Sequence, residues 1–422
     1  MRQAESVRAD SGSGTFTSSL AHNAHPLQPH LALTVQVLQT GIVHIQAREA
    51  QPLHPRWVVQ DVVQSSASTQ PHSAVQFSTA ATHTTAKWTQ PAANDSAAAV
   101  PCELHIAYQP LTITLSVSGQ PSVVFNQRGL VNYEQYREKN PKPEAQAAPP
   151  AADGSTELNA PPATDSAAAP TAADNAAMAY PYDEAGMWDE SFGGHSDTKR
   201  YGPASVAADF SFPHARHVYG IPEHASSFSL KSTYGAGSGD YSEPFRLYNL
   251  DVFEYELDEP MALYGAVPFL IAHHSAATTG LLWLNSAETF IDVSDSSTGG
   301  GLLSSGTPQK DTHWISESGV IDAYLLPGPT PSALFSQYAL LTGAPALPRY
   351  FAIGYHQCRW NYKSEDDVKA VDAGFDEHDI PYDVIWLDIE HTDGKSQLST
   401  HRASTHTQLS QHAICTSRLS LT

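Results

Sequence analysis

Asp388 is the carboxylate whose position most invites a ligand. It closes the apolar run Val384-Ile385-Trp386-Leu387 and is followed by Ile389, Glu390, His391, Thr392 and Asp393. A carboxylate at the C-terminal end of a buried strand is placed to accept hydrogen bonds, and in a (β/α)8 barrel such strand ends face the active site. A solvated strand end, or a cap for the next helix, would look the same. Asp251 sits in Leu247-Tyr248-Asn249-Leu250-Asp251-Val252-Phe253, where pattern alone reads it as a turn aspartate. Tyr362 follows Arg359-Trp360-Asn361, and the Arg–Trp pair is able to stack on a flat ligand or on itself. Other chemistry is poorly supplied. Gly299-Gly300-Gly301 has no Lys-Ser/Thr sequel and is no phosphate cradle. Cys102, Cys358 and Cys415 are far apart and odd in number, which suggests neither a disulfide framework nor a zinc site. The 21 histidines are scattered without carboxylate or cysteine neighbours at ligand spacing, so neither a metal nor another cofactor is expected. No serine or cysteine triad stands out. Asn94-Asp95-Ser96 is one sequon.

The elements that must hold these residues are mostly strands. Leu111-Thr112-Ile113-Thr114-Leu115-Ser116-Val117 alternates apolar and hydroxyl side chains, the signature of a half-buried strand. Leu33, Val35 and Val37 alternate likewise, Gly41 breaks the run, and Ile42 to Ala47 completes a hairpin. Further strands are expected at Ser122–Asn126, Ser205–Phe212, Asp251–Leu257, Ala262–Ala272, Gly280–Leu284, Thr289–Val293 and Val320–Leu326. Many short strands with turn signals and no long amphipathic helix argue a β-sandwich over 31–345, with a short helix, Ser332–Leu341, leaving it. Residues 1–30 lack periodicity and read as a flexible lead-in. Residues 139–181, dominated by alanine, proline and acids, cannot bury enough apolar area to offset their ordering entropy and read as a disordered insertion.

The architecture changes over 346–395. Phe351–Tyr355 reads as a buried strand, Ser364 with Asp367 as a helix N-cap, Val368, Val371 and Phe375 as one helix face, and Asp383–Asp388 as a second strand. Strand, helix, strand is a βαβ unit with parallel strands. Residues 396–422, rich in Ser, Thr, His and Gln without an acid, read as an unstructured, aberrant tail.

Charge narrows the partners. Acidic residues number 44 against 22 basic ones, a net charge of −22, which repels nucleic acid. No apolar run is long enough to span a bilayer, and Met1–Ser6 has no apolar core of the signal-peptide kind.

Longer strings carry a resemblance. Gly354-Tyr355-His356-Gln357-Cys358-Arg359-Trp360-Asn361-Tyr362 and Val384-Ile385-Trp386-Leu387-Asp388-Ile389-Glu390-His391-Thr392-Asp393-Gly394-Lys395 resemble the start of the catalytic barrel of glycoside hydrolase family 31. Upstream, Val218-Tyr219-Gly220-Ile221-Pro222-Glu223-His224-Ala225, Pro244–Phe253 and Trp314-Ile315-Ser316-Glu317-Ser318-Gly319 agree in order. The resemblance implies a mainly β chain: a galactose-mutarotase-like β-sandwich, then the first βαβ unit of a truncated (β/α)8 barrel. It implies a retaining α-glucosidase acting on glucosylated N-glycans or α-glucosides in the endoplasmic reticulum lumen, beside a non-catalytic β-subunit. Carried over by motif, Asp251 is the aspartate that a sandwich loop lends to the non-reducing-end sugar site. Asp388 binds hydroxyls of the same sugar, and Tyr362 is an aromatic wall. The family's nucleophile and acid/base aspartates have no counterpart in this chain, so the chain alone is expected to be inactive. A non-catalytic carbohydrate-binding sandwich, or a sister activity such as α-xylosidase or α-glucan lyase, stays open.

Overall fold

Alternation is what the backbone obeys. In the computed structural model, which describes residues 2–22, 31–90, 99–137, 188–234, 243–298 and 306–391, Leu111–Val117 is a strand with every second residue buried. The stretches 139–181 and 396–422 lie outside the described residues. The chain divides into two units, Met1–Gly343 and Ala344–Thr422.

The first unit is built on two large antiparallel sheets. One has eight strands, in the order Arg2–Asp10, Thr15–His22, Leu31–Val37, Val43–Glu49, Ile321–Leu326, Ala277–Trp283, Phe269–His274 and His217–Gly220. The other has ten and runs from Phe245–Leu247 through Thr289–Thr298, Thr307–Ser316, Val206–Pro213, Gln120–Phe125 and Leu111–Val117 to Gln76–Thr79 at the far edge. Their inner faces share one core, in which Phe16, Leu33 and Ile45 of the first sheet join Leu104, Ile113, Phe125 and Phe210 of the second. Trp283 ties the layers: its ring meets Phe210 and Trp314 of the facing sheet, each at 6.2 Å, and its Nε1–H donates to Ser316 Oγ at 2.9 Å. That contact removes a large apolar ring from water while satisfying its one donor. Helix Pro331–Thr342 starts where Thr330 Oγ1 accepts from the Ala333 N–H at 3.1 Å. It packs Leu334 and Leu341 against Phe269, Leu282 and Leu326, a second cluster beside the eight-stranded sheet.

Three expectations for the first unit need correction. The lead-in 1–30 is not unstructured through its described part: Arg2–Asp10 and Thr15–His22 form a hairpin on the edge of the eight-stranded sheet. Phe16, Ser18 and Leu20 face the core in turn, but with Ser and Thr between them the apolar signal is too sparse to show. Asp251–Leu257 is not a strand. Its aromatics alternate with acids as a strand's would, yet Phe253 is 85% exposed and no strand among the described residues takes its backbone bonds. Ala262–Ala272 is a strand only from Phe269 onward.

In the second unit, His356–Gln357 pairs in parallel with Val384–Ile385, joined through helix Glu365–Glu377. Ser364 Oγ accepts from the Asp367 N–H and the Asp367 carboxylate takes the Ser364 N–H, a complete capping box. Val368 is buried on the face shared with Val371 and Phe375. Here the expected strand Phe351–Tyr355 is corrected: Tyr350–Ile353 is a single 3-10 turn and pairing starts afterwards. The Asp383 carboxylate takes the Tyr355 N–H at 2.8 Å, and a Cβ on Gly354 would stand 2.1 Å from its Oδ2, so only glycine admits this approach.

Candidate functional site

Asp251 lies exposed in an irregular loop of the first unit, and hydrogen bonds around it hold the loop's shape. The Leu250 N–H donates to Leu263 O at 3.0 Å, Asn249 Nδ2 to Tyr264 O at 2.8 Å, and Tyr264 OH to Val252 O at 2.5 Å. The far limb is anchored in turn, because the Gly265 N–H donates to Glu223 Oε2 and the Glu223 N–H to Gly265 O, both at 2.8 Å. A carboxylate on a surface loop fixed at both limbs keeps free acceptor capacity while losing little freedom on binding. Exposed Phe253, Tyr255 and Leu257 follow it. Nearby, burial, then Glu288 and Glu317, push the Tyr248 hydroxyl above its usual value, so it stays a neutral donor.

The second unit holds the other two candidates. Asp388 is partly exposed beyond the Val384–Ile385 strand, and its Oδ1 accepts from the Ile389 N–H at 2.6 Å, opening the 3-10 turn Ile389–His391. Tyr362 is 4% exposed. Its hydroxyl accepts from Gln357 Nε2 at 3.0 Å, and Gln357 Oε1 accepts from Tyr355 OH at 2.6 Å. Trp386 Nε1–H donates to His356 Nδ1 at 2.7 Å across the parallel pair. The structure thus groups Tyr362 and Asp388 in one unit and Asp251 in the other. The contacts that Gln357, His356 and Trp386 make were not foreseen from the sequence. Their signal was the parallel register, which sequence spacing does not display. Among the described residues, no three His, Cys, Asp or Glu side chains gather as a metal site, and no helix is long and apolar enough to cross a membrane.

The fold is thus a two-sheet β-sandwich followed along the chain by a strand, helix and parallel strand. Family models agree in the same order: residues 32–292 match the glycosyl hydrolase 31 N-terminal galactose mutarotase-like domain, and 345–412 the glycosyl hydrolases family 31 TIM-barrel domain. The chain belongs to glycoside hydrolase family 31. Among its relatives, neutral α-glucosidase AB of Dictyostelium discoideum is 61% identical over 210 residues, 50% of this chain and 21% of that protein. Neutral α-glucosidase AB of Mus musculus is 42% identical over 379 residues, 86% of this chain and 37% of that protein. A solved endoplasmic-reticulum glucosidase II complex, of catalytic subunit and the binding domain of the regulatory subunit, superposes with TM-score 0.73 at 34% identity, over 96% of this chain and 41% of that one. The chain therefore spans well under half the length of these relatives.

Proposed function

We propose that this chain forms the sugar-recognising front of a retaining α-glucosidase of the glucosidase II type, which removes glucose from N-linked glycans in the endoplasmic reticulum lumen beside a regulatory β-subunit. The observation that carries this reading is the 61% identity to a neutral α-glucosidase AB across half the chain. Solved glucosidase II α-subunits in DNJ-bound and α3-Glc2-bound forms, 34% identical, lend the substrate class. In this reading Asp251 on its sandwich loop and Asp388 beyond its strand each accept hydrogen bonds from sugar hydroxyls, and Tyr362, held by Gln357, serves as an aromatic wall. Ionised carboxylates suit the task because each oxygen accepts charge-assisted bonds from the sugar. Retaining hydrolysis also needs a nucleophile and an acid/base about 5 Å apart. The residues assigned here are binding groups, so the chain by itself is expected to leave p-nitrophenyl α-glucoside intact.

The test compares the native gene product with its Asp251→Asn and Asp388→Asn variants on a monoglucosylated N-glycan. Loss of one charge-assisted contact costs about 1.5–3 kcal/mol, or about ten- to a hundredfold in kcat/KM. Unchanged kcat/KM in both variants would refute the assigned roles. Faster cleavage of an α-xyloside than of an α-glucoside would refute the substrate class. Turnover of p-nitrophenyl α-glucoside by the chain alone, abolished by Asp388→Ala, would show that it carries the chemistry itself.

A further inference from the structure

Several of the histidines that look scattered along the chain are gathered in space. Antiparallel pairing of His217–Gly220 with Phe269–His274 sets His217 opposite His273. The adjoining turns add Arg216 and His214, whose ring centre lies 5.7 Å from that of His274. With Gln120 of the facing sheet, these side chains line an open cleft of about 490 Å³.

The cleft is rich in donors and poor in negative charge. Arg216 only donates, and no Asp or Glu is among the lining residues. His217 Nδ1 bonds the Ser229 hydroxyl at 2.9 Å and His273 Nδ1 the Thr278 hydroxyl at 2.8 Å, which orients both rings. His274 Nδ1 accepts from the Ala276 N–H at 3.3 Å, so the neutral ring carries its proton on Nε2. That Nε2 is buried and finds no hydrogen-bond partner among the described residues. Burial, then repulsion from His214 and His273, holds His274 below the ordinary imidazole value. The charged groups facing it are therefore cationic when ionised. A metal ion fits poorly, because Arg216 would repel it and, among the described residues, no three metal-ligating side chains converge.

The geometry points to an oxyanion site in this cleft, taking a phosphate group either free or borne on a sugar. Arg216 supplies permanent charge in a fork that matches phosphate oxygens, and the imidazoles supply N–H donors that gain charge as they bind. Because a bound anion favours imidazolium, binding takes up protons and tightens as pH falls through the histidine range. None of the sugar-binding groups assigned above lines this cleft, and the proposal does not depend on the glucosidase reading.

Inorganic phosphate and glucose 6-phosphate are titrated into the full chain by calorimetry, with imidazole NMR to locate the contact. Affinity is expected to rise at least about tenfold between about pH 7.5 and pH 6, the limit for one proton being tenfold per pH unit. Arg216→Ala should weaken binding about tenfold or more at both pH values. His274→Gln should flatten the pH dependence and weaken binding at about pH 6 more than at about pH 7.5, and circular dichroism checks that both variants fold. Equal affinities identify the phosphate itself as the ligand; tighter binding of the ester identifies a sugar phosphate. The site is refuted if millimolar phosphate of either kind shifts no imidazole resonance of this cluster. Binding indifferent to Arg216→Ala, or a response to Zn²⁺ with phosphate silent, refutes it equally.

Discussion

Replacing Arg56 by methionine should be among the most destabilising single changes in the first unit. The Arg56 side chain is 2% exposed and its partner Glu49 5% exposed, with Nη2 and Oε1 2.9 Å apart. Nη1 donates to Ala204 O at 2.7 Å and Gly319 O at 3.1 Å, and Nη2 also donates to Glu134 O. The guanidinium lies between the rings of Tyr133 and Tyr136, 4.4 Å from each centre. One planar cation thus draws together four separate stretches of chain. Methionine fills much of the volume but leaves Glu49 buried without a counter-charge and strips three carbonyls of a donor. Breaking a buried pair from one side costs about 3–5 kcal/mol, and the lost cation–π contacts add about 1–2 more. A typical domain has only about 5–15 kcal/mol to lose. The assay is urea unfolding followed by tryptophan fluorescence for wild type, Arg56→Met, Glu49→Leu and the double variant. The double variant should recover at least about half of the single loss, because replacing a whole buried ion pair with apolar groups is often near neutral. Recovery stays incomplete because the Tyr136 N–H, which donates to Glu49 Oε1 at 3.0 Å, loses its acceptor. A cost below about 1 kcal/mol for Arg56→Met, or a double variant as unstable as the two singles summed, would refute the reasoning.

Other consequences are open to direct measurement. Burial pushes the Cys102 thiol up to about 12, so at neutral pH it stays protonated and should resist iodoacetamide until unfolding, while exposed Cys358 labels readily. Site-resolved mass spectrometry that finds equal rates would contradict this. His313 is held below its usual 6.5 by burial, although Asp209 and Asp292 face it across neighbouring strands and pull the other way. The unfolded chain therefore takes up a proton that the fold refuses, and stability should fall as pH drops below about 6.5 and level off above it. His313→Gln should reduce that slope in unfolding experiments run across this range, and an unaltered slope would count against it. A Cβ on Gly265 would stand 2.9 Å from Glu223 Cδ, so Gly265→Ala should displace the carboxylate that anchors the Asp251 loop. Hydrogen exchange of the 249–265 amides should speed up by about tenfold or more, as expected for one lost charge-assisted bond of about 1.5–3 kcal/mol; unchanged protection would show that the loop does not depend on this anchor.

Local pattern was enough wherever a residue's neighbours in sequence are also the ones that decide its fate. Leu111–Val117 is a strand over the span that its alternation predicts, and Ser364 with Asp367 builds the cap its spacing promises. The family was legible too, since strings such as Trp386-Leu387-Asp388 are contiguous. Alternation failed where burial came from elsewhere. Phe16 and Leu20 are buried because a hairpin reaches the sheet edge, whereas Phe253 and Leu257, no less apolar, lie on a loop that nothing covers among the described residues. The grip of Gln357 on Tyr362 and the meeting of His217 with His273 have no trace in composition or spacing. Side-chain chemistry and local periodicity are properties of neighbouring residues and can be read from order alone. Which distant donors share a cleft depends on strand register, and register is set by the packing of the whole sandwich.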